Sequence, residues 1–341
     1  MCRQVAETRS GAKLYALSFV VALMLAACGG SQPPIGTSGL LQQSGAIATY
    51  ILQRPVYGIP APNSARKGIY VSEHNNSGAS SIVYGYSKDN SDNGAPICSE
   101  SVTQAFGAAV DPKGNLIVTQ IEGVSVFRGP RMCGPALGSF GVGWGGLAIS
   151  AASTDAANGT IAVAADQEGS GPGGVELCTL KAGCTTNLRN AALNFVDAVA
   201  VSKDGDCWAA SSQPTAMVYF KGCSGSGVVA TGYINREPGG LDIDKDGNLV
   251  SFDGGTPAVY VYSGCNPACA LIGGPFTLLG QSSFGHLDQT STRLVAPDYP
   301  YDQIDVYEYS PKSLTYEYSF RNGLSPSLEL VSAAYDPGSK Q

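Results

Sequence analysis

Gly240-Leu-Asp-Ile-Asp-Lys-Asp-Gly-Asn-Leu-Val250 is one copy of a phrase that recurs along the chain. A run of small and apolar residues leads to an Asp or Ser, a polar turn and a second β-rich run. Further copies, some weaker, begin at Gly107, Gly146, Ala198, Gly285 and Ser332. The fifth residue of each copy falls at 111, 150, 202, 244, 289 and 336. The copies are therefore about 45 residues apart, an interval typical of architectures that repeat one small sheet.

This period predicts an all-β fold, a six-bladed β-propeller whose blades are four-stranded antiparallel sheets. Gly supplies 44 of the 341 residues and only 14% are charged, which suits short strands joined by tight turns. In the fifth unit we expect strands at Gly240–Asp244, Asn248–Phe252, Ala258–Tyr262 and Phe276–Leu279. The Asp244–Asn248 run resembles the start of a calcium loop, but Gly255 stands where that loop needs a carboxylate, so a hairpin turn is the better interpretation.

The two ends of the repeat region complement each other. The first unit begins with a second-strand pattern at Gly68-Ile-Tyr-Val-Ser-Glu73, and the last unit consists of the first-strand phrase at Val331–Asp336 alone. We therefore expect the C-terminal strand to join the N-terminal blade and close the ring, which removes an exposed sheet edge.

The N-terminal segment of the chain predicts that the protein is exported. Arg3, Arg9 and Lys13 precede an apolar run from Leu14 to Ala27, and Leu25-Ala-Ala-Cys28 resembles the lipobox of bacterial lipoproteins. That resemblance implies a signal peptide over 1–27, a lipid on Cys28, a flexible tether over 28–59 and a propeller over 60–341 in the cell envelope, facing the periplasm or the exterior. The alternative is an ordinary secretory signal or an uncleaved anchor.

Eight cysteines lie beyond Cys28, and an exported chain is expected to pair them as disulfides. Hairpin symmetry predicts Cys207–Cys223, and short turns predict Cys178–Cys184 and Cys265–Cys269. Cys98 and Cys133 remain as a bridge between neighbouring blades. Thiolate metal binding is the alternative, but no Cys-x-x-Cys occurs and the chain has only 2 His.

A polar residue closes the predicted second strand of every blade. Ring symmetry places these residues around one face, where they could hold a cation or a sugar-like ligand. The loop with Tyr299, Tyr301 and Asp302 falls on the same face and offers an aromatic contact surface. The other interpretation is that the polar residues only initiate turns. The six positions are Glu73, Gln120, Asp166, Ser211, Asp253 and Asp298.

The layout resembles six-bladed propellers of the NHL-repeat and gluconolactonase-like (TolB-like) kind. In gluconolactonase-like enzymes the resemblance implies a metal held by a Glu, an Asn and an Asp. Glu73 matches the Glu, Asp197 falls at the Asn position, and Gly239 replaces the Asp. The missing ligand argues against carrying over the activity. A metal-dependent hydrolase using Glu73 and Asp197 with Asp253 or Asp298 is kept as the alternative.

The charge balance limits the partners. The net charge of −7 and the lack of a basic face exclude nucleic acid. We predict a monomeric ring that binds an envelope protein or a glycan, with no catalytic residue and no cofactor, a channel calcium ion being the alternative.

Overall fold

The computed structural model describes residues 68–74, 80–111, 114–120, 123–128, 136–141, 152–154, 160–165, 173–282, 284–288 and 290–335. Its strands form six four-stranded antiparallel sheets, so the predicted all-β six-bladed propeller is confirmed. Cys28, the leader and the tether lie outside the described residues. The described part of the chain has no apolar helix long enough to cross a bilayer.

Blade 1 contains strands from both ends of the repeat region, as predicted. Its order is β24 (Glu329–Tyr335), β1 (Gly68–His74), β2 (Ser81–Ser87) and β3 (Cys98–Val102). Ile69 pairs with Tyr335 and His74 pairs with Glu329, so β24 covers the whole length of β1.

The other blades follow in chain order. Blade 2 holds β4 (Ala105–Val110), β5 (Leu116–Gln120), β6 (Gly123–Phe127) and β7 (Ala136–Gly141); blade 3 holds β8 (Ala152–Thr154), β9 (Ile161–Ala165), β10 (Gly174–Thr179) and β11 (Gly183–Arg189). Blade 4 holds β12 (Val196–Val201), β13 (Cys207–Ser212), β14 (Thr215–Phe220) and β15 (Val228–Val229); blade 5 holds β16 (Pro238–Ile243), β17 (Leu249–Asp253), β18 (Ala258–Ser263) and β19 (Ala270–Thr277). Blade 6 holds β20 (His286–Leu287), β21 (Arg293–Asp298), β22 (Gln303–Ser310) and β23 (Ser313–Phe320).

One strand expectation needs correction, and another lies outside the described residues. The outer strand of blade 5 was expected at Phe276–Leu279 but runs over Ala270–Thr277. The Gly273-Gly-Pro segment of this strand has the composition of a turn. Shifts of the pairing register at Val259 and Val261, which are β-bulges, accommodate this segment within the strand. The copy at Gly146–Ser150 lies outside the described residues; the first strand of blade 3 is β8, Ala152–Thr154.

The apolar core is divided among the seams between neighbouring blades. One cluster packs Ile69 and Val71 of blade 1 against Val295, Ile304 and Val306 of blade 6. Five further clusters occupy the other seams. Middle strands are covered on both faces, which explains why β17 and β9 are buried along their whole length.

The repeated phrase forms the turn between the first and second strands. Asp244 accepts the backbone N–H of Asn248 at 2.8 Å through Oδ1 and the Asn248 side-chain amide at 2.9 Å through Oδ2. Gly247 supplies the positive φ of 83° that this turn requires. The hairpin interpretation of this run is confirmed, because the turn itself engages both carboxylate oxygens.

Three predicted disulfides are present: Cys178–Cys184, Cys207–Cys223 and Cys265–Cys269. Cys98 is also disulfide-bonded. Its predicted partner, Cys133, lies outside the described residues, so this pairing stays a prediction. The disulfides fit an oxidising compartment.

Candidate functional site

The second strands end at one face of the ring, which we call the connection face. It carries the turns between second and third strands and the connections that lead from the outer strand of one blade to the first strand of the next. Five of the six predicted positions lie at or beside the end of a second strand: Glu73, Gln120, Ser211, Asp253 and Asp298. Asp166 lies outside the described residues.

Most of these side chains bond the backbone that reaches their own blade from the preceding one. Thr103 N–H donates to Gln120 Oε1 at 2.9 Å, and Ser325 N–H donates to Glu73 Oε1 at 2.8 Å. Ser211 Oγ accepts the N–H of Asn194 at 3.4 Å. The residue that closes the second strand therefore holds the incoming connection, which is a structural reason for a polar residue at this position.

Asp253 instead bonds the backbone of the turn that directly follows it. Its Oδ1 accepts the N–H groups of Gly255 and Thr256, both at 2.9 Å. This is the turn geometry that the alternative interpretation predicts for Asp. A ligand-binding role for the polar ring stays a prediction.

Glu73 and Asp298 differ from the other described ring residues because one oxygen of each carboxylate has no hydrogen-bond partner. The Glu73 side chain is fully buried at the seam between blades 6 and 1, and its Oε2 is the atom without a partner. Burial raises the pKa of Glu73 to about 7, and the charge of Asp302 adds to the rise. The Ser325 N–H and the Tyr84 hydroxyl act in the opposite direction.

We expect Glu73 to make stability depend on pH. Its folded-state pKa lies above the ordinary value, so its contribution is present in full below about pH 4.5 and is lost as pH rises to about 7. The loss is on the order of 3 kcal/mol at 1.36 kcal/mol per pKa unit. Urea unfolding of wild type and Glu73→Gln at pH 4.5 to 8 measures it: the stability of wild type relative to the variant should fall across this range.

The comparison with the variant separates the contribution of Glu73 from that of other groups. The neighbouring His74 is buried and its pKa is lowered, so it acts with the opposite sign and is common to both proteins. A difference between wild type and variant that stays constant with pH would contradict the assignment to Glu73.

Asp298 belongs to a second buried acidic group, which faces blade 5. The carboxyl groups of Asp298 and Asp305 lie close together, because a single side-chain amide, that of Gln303, reaches both of them. Burial, with the charge of Asp305, raises the pKa of Asp298 to about 6. Gln303 Nε2 donates to Asp298 Oδ2 at 3.2 Å and to Asp305 Oδ1 at 3.0 Å, so the pair is fixed from one side.

Asp305 was not among the site residues predicted from the sequence. A signal was present in Ile304-Asp-Val-Tyr-Glu-Tyr309, because alternation puts Asp305 on the same side of its strand as Tyr307 and Tyr309. An acidic residue among buried aromatic side chains needs polar partners. Here Tyr307 donates to Asp305 Oδ2 at 3.1 Å and Ser319 donates to Oδ1 at 2.5 Å.

The predicted aromatic loop is a short 3₁₀ turn over Tyr299–Tyr301. Pro300 fixes the backbone within the turn, and Asp302 follows in the left-handed region with φ of 48°. The turn packs against β24 of blade 1. Tyr301 is 62% exposed, whereas burial and the charges of Glu329 and Asp302 raise the pKa of the half-buried Tyr299.

The hydrolase alternative requires side chains that converge on one metal ion, and the described residues contain no such set of carboxylates. One group there brings three potential ligand atoms within 4.8 Å of one another, namely Glu176, Cys178 and Cys184. Its two sulfurs form a disulfide and so are not thiolates. Asp197 instead accepts the N–H of Ser212 at 3.0 Å, a role within its own blade.

Comparison with known proteins gives structural relatives only. No family model matches the chain, and no curated protein sequence matches it. The crystal structure of a nidogen/laminin complex contains a chain with a TM-score of 0.59 and 10% identity, and the match covers 80% of this protein and 100% of that chain. A Bacteroides caccae protein of unknown function gives a TM-score of 0.57 and 8% identity over 79% and 98% of the two chains. At such identities the likeness is one of fold, and it identifies the chain as a β-propeller similar to these structures.

Proposed function

We propose that this protein is a binding module of the cell envelope, with the connection face at blades 6 and 1 as its contact surface. The exposure of Tyr301 on a turn fixed by Pro300 carries the proposal. A rigid, exposed Tyr supplies a large contact area at a small entropic cost, and Tyr is enriched among the residues that dominate binding energy.

Two further observations support this function. One solved structure with the same fold is a complex of two proteins, nidogen and laminin. The disulfides, together with the lipobox-like Leu25-Ala-Ala-Cys28, support an extracytoplasmic ring attached through lipid on Cys28. The partner class that we propose is a protein or peptide segment.

We expect Tyr301→Ser to weaken binding by roughly 30-fold, or about 2 kcal/mol, because it removes the exposed anchor. The probes are dodecapeptides selected from a random phage-displayed library on the immobilised full chain. Their affinities for wild type and variant are then measured by biolayer interferometry.

Tyr316→Ser is the matched control. Tyr316 is 45% exposed in the same blade, but it lies on the outer strand β23. The selected peptides should bind wild type and Tyr316→Ser equally. Failure to select any peptide, or equal losses with both variants, would refute this contact surface.

A further inference from the structure

The face opposite the connection face, which we call the turn face, carries the turns between first and second strands and between third and fourth strands. Every lysine among the described residues lies in one of these turns. No run of basic residues marks this surface in the sequence, because each lysine belongs to a different turn. The six are Lys88, Lys181, Lys203, Lys221, Lys245 and Lys312.

Three of these lysines have no acidic neighbour in the chain. Lys181, Lys221 and Lys312 are exposed and form no ion pair within the described part of the protein. The other three are each followed directly by an aspartate, which offsets their charge. The three free ammonium groups lie on blades 3, 4 and 6, so they spread positive charge along the turn face.

Exposed aliphatic side chains lie along the same edge of the ring. Most of the large exposed aliphatic residues in the described ranges occur at, or just before, the beginning of a fourth strand, and fourth strands begin at the turn face. We call this set the aliphatic belt. Its members are Leu137 of blade 2, Leu180 of blade 3, Val228 and Val229 of blade 4, and Leu271 and Ile272 of blade 5.

Contacts between neighbouring blades make the aliphatic belt continuous. Between blades 2 and 3, a Cβ added to Gly138 would lie 3.3 Å from Leu180 Cδ1, so the exposed leucine packs against the adjoining outer strand. Between blades 3 and 4, Asn190 Nδ2 donates to Ser226 O at 2.7 Å. This bond ties the end of one outer strand to the turn that precedes the next.

The same strip of surface continues over blades 4, 5 and 6. Thr231 N–H donates to Pro267 O at 3.0 Å, which joins the segment after β15 to the turn before β19. Gly273 of β19 lies directly against the carbonyl of Pro311, the residue before Lys312. Aliphatic and basic side chains therefore share one contiguous strip at the rim of the turn face.

The composition of this strip favours a membrane over a protein as its partner. Protein interfaces are rich in aromatic residues and arginine and poor in lysine. Surfaces that lie on bilayers combine lysine with aliphatic side chains, because the ammonium groups attract anionic headgroups and the aliphatic groups enter the acyl boundary. The exposed Tyr301, in contrast, lies on the connection face. The chain that leads from the predicted lipid on Cys28 joins the ring at Gly68, which lies at the turn face.

We propose that the ring rests on an anionic membrane surface through its turn face. Lys181, Lys221 and Lys312 contact the lipid headgroups, and the aliphatic belt lies at the boundary with the acyl chains. This proposal concerns a second surface and does not depend on the Tyr301 contact, which faces away from the membrane in this orientation.

Hydrogen exchange of the full chain, with and without vesicles, locates the contact. The vesicles are phosphatidylcholine with about 30% phosphatidylglycerol, which supplies the anionic headgroups. We expect the vesicles to slow exchange at Lys221–Cys223 and Val228–Val229 and to leave the Tyr299–Tyr301 turn unchanged. Slower exchange at Tyr299–Tyr301 with none at the turn face would overturn the proposal.

Co-sedimentation with the same vesicles measures the contribution of the lysines. Lys221→Gln with Lys312→Gln should weaken binding by about 30-fold, because each removes a cation from the membrane surface. Arg236→Gln with Arg321→Gln is the matched control. These exposed arginines lie in connections on the other face, and the control removes the same charge. It should change the affinity less than twofold.

A second pair of variants tests the aliphatic belt. Leu180→Ser should weaken vesicle binding about fivefold, since it removes a side chain that is 43% exposed and enters the lipid boundary. Leu279→Ser is the control, because Leu279 is 55% exposed but lies in the connection from blade 5 to blade 6. This control should bind like wild type.

The outcomes separate a membrane from other acidic partners. The loss caused by the two lysine substitutions should vanish with pure phosphatidylcholine vesicles, which carry no net charge. Equal losses with the lysine and arginine variants would indicate attraction to the whole protein and overturn the proposal. Binding to poly-glutamate, with no effect of the lysine substitutions on vesicle binding, would indicate an acidic protein partner and would also overturn it.

Discussion

Ala333→Asp should prevent closure of the ring and abolish cooperative unfolding. Ala333 is fully buried in β24, where it pairs with Val71, and its N–H donates to Phe284 O of blade 6 at 3.0 Å. A carboxylate at this position would be buried in the apolar cluster between blades 6 and 1. The expected cost is about 4 kcal/mol or more, a large part of the stability of a domain.

Circular dichroism during heating and limited proteolysis measure this effect. Ser327→Asp is the control, because Ser327 is exposed in the connection that precedes β24. It adds the same charge without burying it and should melt like wild type. A cooperative Ala333→Asp protein with a melting temperature close to that of wild type would show that β24 does not close the ring.

Cys207→Ser with Cys223→Ser should cost about 3 kcal/mol, because this disulfide limits the unfolded chain over a separation of 16 residues. The bond joins the start of β13 to the short 3₁₀ turn after β14. Cys207 is fully buried in the cluster between blades 3 and 4, so lost packing adds to the effect.

Cys265→Ser with Cys269→Ser is the comparison. Its separation of 4 residues predicts a smaller loss, about 2 kcal/mol, on the same loop-entropy argument. Guanidinium unfolding of the three proteins gives the order. Greater destabilisation by the shorter bridge would mean that the contacts of that loop with blade 4, such as the Trp208 Nε1 bond to Cys265 O at 2.6 Å, outweigh loop entropy.

Periodicity revealed the blades because the first two strands of each carry the most regular sequence. The Asp-x-Asp-Gly-Asn turn needs Asp for its two backbone bonds and Gly for its positive φ, so its spacing survives in the sequence. Packing constrains the sequence of an outer strand less than that of an inner strand. Leu271 and Ile272 of β19 are exposed, and Gly273-Gly-Pro gives no alternation from which to locate the strand.

Only part of the candidate site could be predicted from the sequence. Strand endings located Glu73 and Asp298, and the Pro-rich loop indicated Tyr299 and Tyr301. The bond between Glu73 and Ser325 and the proximity of Asp298 to Asp305 could not be predicted, because they depend on which blade each strand end faces. That direction follows from the twist and packing of neighbouring sheets, which hydrophobic pattern alone does not encode.

The closing blade also determines the face at which the chain enters the ring. β1 runs from Gly68 to His74, so the chain joins the ring at one end of this strand and Glu73 lies near the other, about 17 Å away at 3.3 Å per residue. Tyr335, the last residue of β24, lies beside Ile69 at the same end as Gly68. Both of these strand ends are thus remote from Tyr301. The chain that precedes Gly68 therefore enters the ring at the face opposite to the connection face.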